Sequence, residues 1–192
     1  MPSETRRPRN AEATRDAILQ AAIRGFARAG YDGIGVREIA GDAGVTAMLV
    51  NRYFGSKQGL FAEAVDVAFA PPVIVPEGDQ SLGRAAVEAL VARSDATSDD
   101  MLPFLILLKS VSNPDAAVIV RDAIERHVGH RLAGRLPAPG RQIRGDVLLS
   151  VISGVLLMRR VLGTRALNTR STQRLETLLE AVFDAVSATE LD

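Results

Sequence analysis

Cysteine and tryptophan are absent, and the chain holds only two histidines, two tyrosines and six phenylalanines. Without cysteine there is no disulfide, thiolate metal site or cysteine nucleophile. Two histidines leave little for an imidazole metal site, so neither metal nor cofactor is expected. Aromatics make up 4% of residues against 47% apolar overall, which argues against a β-sandwich and for packed helices rich in Ala, Leu and Val. No apolar run reaches the roughly 18 to 20 residues of a membrane span; the stretches Met101–Val111 and Val147–Met158 stop short. The N-terminus is polar and arginine-bearing, without a secretory apolar core. The expectation is a cytoplasmic protein with no membrane partner. A nucleophile elbow, a phosphate-cradling glycine loop and a metal-ligand cluster are also missing, which weighs against an enzyme. Net charge is zero but unevenly spread: nine Lys and Arg face six Asp and Glu through residue 60, and 14 face 17 beyond it. The front is mildly basic and the back mildly acidic.

What is present is concentrated between Val36 and Leu60, VREIAGDAGVTAMLVNRYFGSKQGL. The pattern predicts a short helix over about Val36–Ala43 with Ile39 and Ala40 inward. Gly44 follows, where a helix C-terminus needs a residue tolerant of positive φ. Val45 pins the turn, and Thr46 can cap the next helix with its hydroxyl. That helix, about Ala47–Phe54, buries Val50 and Phe54, four residues apart. Its other face offers Ala47, Met48, Asn51 and Arg52, edged by Leu49 and Tyr53. A helix this short does not fold alone, and the arrangement is that of a helix-turn-helix, whose second helix enters the DNA major groove.

From Thr14 to Ala64 the chain resembles the tetracycline-repressor (TetR) family of transcriptional regulators. The resemblance rests on three ordered pieces, ILQAA..GFA..GY, REIA..AGV and YFGSK..LF. It implies an all-α protein: an N-terminal three-helix helix-turn-helix DNA-binding domain plus a C-terminal helical domain for ligand binding and dimerisation. Thr46, Tyr53 and Lys57 match family positions that bind the phosphate backbone, and Arg37 matches one that contacts DNA in some members. The family's reading helix often runs Gly-Thr-Leu-Tyr-x-Tyr-Phe, whereas here Met48, Leu49 and Asn51 alter the probe, so the operator sequence does not carry over. Asn51 can pair with adenine and Arg52 with guanine or phosphate, while Ala47, Met48 and Leu49 can meet thymine methyls.

Residues 1–11, with Arg6, Arg7 and Arg9, read as a flexible basic arm, either solvated or reaching DNA. A first helix spans about Ala13–Ala29, with Ile18, Leu19, Ala22, Ile23 and Phe26 inward; Gly30 ends it and Tyr31 packs back. Ser56 caps a connecting helix over about Lys57–Ala70, so residues 12–70 form the DNA-binding domain. Lys57 in its first turn opposes the helix dipole unless a phosphate joins it. Prolines in 71–80 mark the boundary, and 71–192 form the regulatory and dimerisation domain. Its helices are expected at about Ser81–Ser94, Asp99–Ser112, Pro114–Leu136, Arg141–Leu162 and Thr172–Ala188. The resemblance implies an effector pocket, for which Met101, Phe104, Leu105, Leu108 and Met158 supply apolar lining. It also implies a homodimer through the last two helices, with Ser153 and Gly154 allowing close approach and Leu175, Leu178, Leu179, Val182, Phe183 and Val186 as a stripe. His127 and His130, three apart on one helix, read as surface residues, with a metal or ligand role as the alternative.

Two reading helices about 34 Å apart would read one face of a palindromic operator. The function expected is a homodimeric repressor released from DNA by a small molecule. The alternative is a helical interaction protein, or an activator, that uses the motif without an inducer.

Overall fold

A computed structural model describes residues 6–71, 84, 88, 90, 99–168 and 172–191. Most of the helix expected over Ser81–Ser94, of which Arg84, Glu88 and Leu90 are described and helical, most of the 71–80 linker, and Ser171, expected to cap the last helix, lie outside the described residues. Among those described, every regular element is helical. They are α1 (Arg6–Ala29), α2 (Val36–Asp42), α3 (Ala47–Phe54), α4 (Lys57–Phe69), α5 (Leu102–Ser110), α6 (Pro114–Ile124), α7 (His130–Gly134), α8 (Arg141–Leu156) and α9 (Thr172–Ala188). Short 3₁₀ turns cover Asp99–Met101 and Arg165–Asn168, and π turns cover Glu125–Gly129 and Leu157–Val161. No described helix is long and apolar enough to cross a membrane.

Three boundaries differ from expectation. α1 begins at Arg6, so residues 6–11 are helical rather than a separate arm. Pro8 falls in the first turn, where a missing N–H costs no intrahelical bond. The helix expected over Pro114–Leu136 is interrupted by a π turn, which widens the coil locally without ending it. α8 likewise runs into a π turn before Leu162.

The chain clusters into two compact units. The first comprises residues up to Ala68 together with Leu102–Ala123. Two helices beyond the proline-rich stretch therefore pack with the N-terminal ones: α1 lies along α5 and also against α2 and α3, and α2 packs on α3. Ile18, Ala22 and Phe26 of α1, Ile39 of α2 and Phe61 of α4 are fully buried. Gly30 ends α1 with φ +76°, and a Cβ there would fall 2.2 Å from the Lys109 carbonyl oxygen, so only glycine admits this approach of α5.

The second unit runs from Phe69 to Met101 and from Ile124 onward. α8 packs against both α7 and α9, with Leu132, Leu148, Ile152, Leu179 and Phe183 buried. Arg144 is buried as well. Its guanidinium donates to the carbonyls of Val186 and Thr189 at the end of α9 and, at 3.5 Å, to that of Pro139. The cation thus sits where a helix C-terminus presents unpaired carbonyls, a place the helix dipole favours.

Candidate nucleic-acid interface

The turn between α2 and α3 is built by backbone hydrogen bonds. The Val45 N–H donates to the Ala40 carbonyl at 2.9 Å and the Gly44 N–H to that of Gly41 at 3.0 Å. Gly44 takes φ +69°, as a left-handed helix cap requires. Thr46 occupies the N-cap of α3 with an extended backbone, but its hydroxyl makes no capping bond, contrary to expectation. The cap position needs that backbone geometry, whereas the side-chain rotamer is a separate choice. Thr46 is exposed.

α3 divides cleanly. Val50 (1% exposed) and Phe54 (7%) form its buried side. Met48 is 82% exposed, Asn51 and Arg52 are exposed, and Ala47, Leu49 and Tyr53 are half-buried at the margins. Arg37, at the start of α2, is exposed too. The structure thus brings Thr46, Ala47, Met48, Leu49, Asn51, Arg52 and Tyr53 together on one short helix and its cap.

α3 ends at Gly55, φ +74°, whose N–H donates to the Asn51 carbonyl at 2.8 Å. Ser56 caps α4 as expected, its Oγ accepting from the Gly59 N–H at 3.0 Å. Lys57 follows as the first residue of α4. Its Nζ stands 4.7 Å above the centroid of the Tyr31 ring. That ring meets Phe61 edge-on at 4.9 Å and stacks on Phe26 at 6.3 Å. Burial first, then the carboxylates of Asp115 and Asp32, push the Tyr31 hydroxyl above its ordinary pKa. Nothing in the local pattern around Lys57 signals this partner; an aromatic after the glycine that ends α1 was the only available sign.

Other cations support the frame. The Arg15 guanidinium lies 5.0 Å from the Phe54 ring centroid and pairs with Glu63. Arg28 pairs with Glu38 at 2.7 Å and Asp42 at 3.5 Å, joining α1 to α2 on the surface.

The five apolar positions expected to line a pocket are divided between the units. Phe104 is buried and Leu105 and Leu108 half-buried in the first; Met101 is buried and Met158 is 40% exposed in the second. Within the second unit a cleft of ≈220 Å³ is lined instead by residues that include Glu125, His130, Gln142 and Asp146.

A family profile described as bacterial regulatory proteins, tetR family, matches residues 18–64. A second, tetracyclin repressor-like C-terminal domain, matches residues 80–186. An HTH-type transcriptional regulatory protein, RaaS, of Mycobacterium tuberculosis is 53% identical over 53 residues, a stretch that is 27% of this chain and 24% of that relative. The crystal structure of a TetR-family regulator from Streptomyces coelicolor A3 is similar at 25% identity with TM-score 0.58, covering 98% of each chain. The multidrug binding protein EbrR complexed with ethidium shares the fold at 22% identity and TM-score 0.67, over 92% of this chain and 99% of that one.

Proposed function

The chain belongs to the TetR family of transcriptional regulators, with a DNA-binding helix-turn-helix, and from that premise we propose that it is a homodimeric repressor whose affinity for a palindromic operator falls when a small molecule binds. The observation that carries the proposal is the division of α3: Val50 and Phe54 are buried, while Met48, Asn51 and Arg52 stand free of the protein. Asn51 would read adenine, Arg52 guanine or a phosphate, and Met48, Ala47 and Leu49 thymine methyls. Thr46, Tyr53, Lys57 and Arg37 would hold the phosphate backbone on either side, setting register without reading sequence.

One eight-residue helix reads too few base pairs for an operator, so a two-fold dimer supplies the second. The exposed outer sides of α8 and α9, with Ile143, Val147, Leu178 and Val182, would pair with those of a second copy. Met158, 40% exposed beyond α8, fits that contact better than a pocket. EbrR is described in complexes with ethidium, proflavin and imidazole. By analogy a small-molecule effector would bind among the regulatory helices here, for which Phe104, Leu105 and Leu108, all within the first unit, remain the candidate apolar contacts.

Selection of bound sequences from random duplex DNA tests the reading. A palindrome with half-sites one helical turn apart, or a whole multiple, is expected; no enrichment would refute it. Salt separates DNA recognition from a helix-turn-helix used for protein contact, because phosphate contacts make affinity fall steeply as salt rises.

A further inference from the structure

We infer that Tyr31 is a positioning residue for DNA binding: its ring is the platform that holds the Lys57 ammonium at the place where a phosphate would be met. The inference rests on the assignment of Lys57 to the DNA backbone made above. It starts from the geometry of the ring. The Lys57 Nζ lies 4.7 Å from the Tyr31 centroid, within the range of a cation–π contact. A lysine side chain in solvent explores many rotamers, and fixing it on a phosphate costs that freedom. An ammonium already resting on an aromatic face has given up part of it before DNA arrives. The ring covers one side only, leaving the remaining N–H donors for an anion.

The platform is itself held. Phe61 and Phe26 flank the ring. The Tyr31 N–H donates to the Ser110 hydroxyl at 3.1 Å, and Ser110 is 1% exposed. On one side of Tyr31 in the chain, Asp32 accepts from the Asn113 amide at 3.0 and 3.2 Å. On the other, Gly30 abuts the Lys109 backbone, and Lys109 Nζ donates to the Arg28 carbonyl at 2.7 Å. The end of α5 and the turn after it therefore grip residues 28–32 at several points and leave the ring little freedom.

The test varies the ring's electrostatics at constant shape. Phenylalanine and progressively fluorinated phenylalanines are placed at position 31 of the full chain, and affinity for the selected operator is measured across salt concentrations, with and without Lys57→Ala. Tyr31→Phe should keep affinity within about twofold of the wild type. Fluorination withdraws charge from the ring face, so affinity should fall stepwise, in all by about 2- to 5-fold per half-site. In the Lys57→Ala protein the same series should be flat. A series equally steep without Lys57, or flat with it, would overturn the inference. Lys57→Ala alone tests the underlying assignment: it should weaken binding to all sequences alike and reduce the salt slope by about one for each phosphate that Lys57 neutralises. If it did neither, that assignment and the role built on it would both fail; if it did both while fluorination had no effect, only the role of Tyr31 would fail.

Discussion

On α3 the exposed side carries Met48, Asn51 and Arg52; on α8 and α9 it carries Ile143 at 61% exposure, Val147 at 44%, Leu178 at 67% and Val182 at 40%. The first set mixes hydrogen-bonding groups with one flexible apolar chain and suits base edges. The second is aliphatic on successive turns of two packed helices, i and i+4 in each, and suits another apolar surface. The first unit also exposes Val67, Val111 and Val118, but these lie on three different helices or their ends. Scattered single residues of this kind are ordinary surface. The contrast teaches that the two units expose surfaces of different chemistry: one suits a polar partner and the other an apolar one.

The sharpest way to break the contrast is to charge the aliphatic side. Leu178→Glu with Ile143→Glu should convert a dimer to a monomer and reduce operator affinity by two orders of magnitude or more. Sedimentation and DNA titration would show both, and a dimer that survived the pair of charges would place the subunit contact elsewhere. Arg144→Met comes next. It deprives the carbonyls of Val186 and Thr189 of their charged donor in part-buried bonds, and should cost about 1.5 to 3 kcal/mol of folding stability. Denaturant unfolding measures it; a loss under about 0.5 kcal/mol would mean that the cap contributes nothing net. Asn51→Ala should cost roughly 1 to 3 kcal/mol and blur preference at one position per half-site. An unchanged preferred sequence would remove Asn51 from base reading. The smallest effect is expected for Arg28→Ala. Its pairs with Glu38 and Asp42 are exposed, so stability should change by under about 1 kcal/mol.

How much of this was legible in the sequence depended on whether the determining contacts were local. The two sides of α3 followed from Val50 and Phe54 at i and i+4, and Gly30 and Gly44 were identifiable as helix ends because each needs positive φ. The grip of Ser110 and Asn113 on Tyr31 and Asp32 was not legible, since partners some 79 and 81 residues apart leave no periodic trace. For the same reason the association of Leu102–Ala123 with the N-terminal helices could not be read from a proline-rich break. α9 failed differently. Its stripe is wide enough to serve two sides at once, and the structure sends Leu179 and Phe183 inward while Leu178 and Val182 face out. Arg144 looked like any helical surface charge, because a sequence shows the cation but not the carbonyls waiting for it.

The interlocking of residues 28–32 with Lys109, Ser110 and Asn113 bears on how the protein comes into being. Ribosomes deliver the chain from its N-terminus, so α1 to α4 emerge well before the segment that completes them. Until Asn113 has left the exit tunnel, the side of α1 that faces α5 has no cover and the Tyr31 N–H lacks its Ser110 acceptor. A nascent or truncated chain ending near residue 70 should therefore carry the full reading helix and still be a poor, aggregation-prone binder.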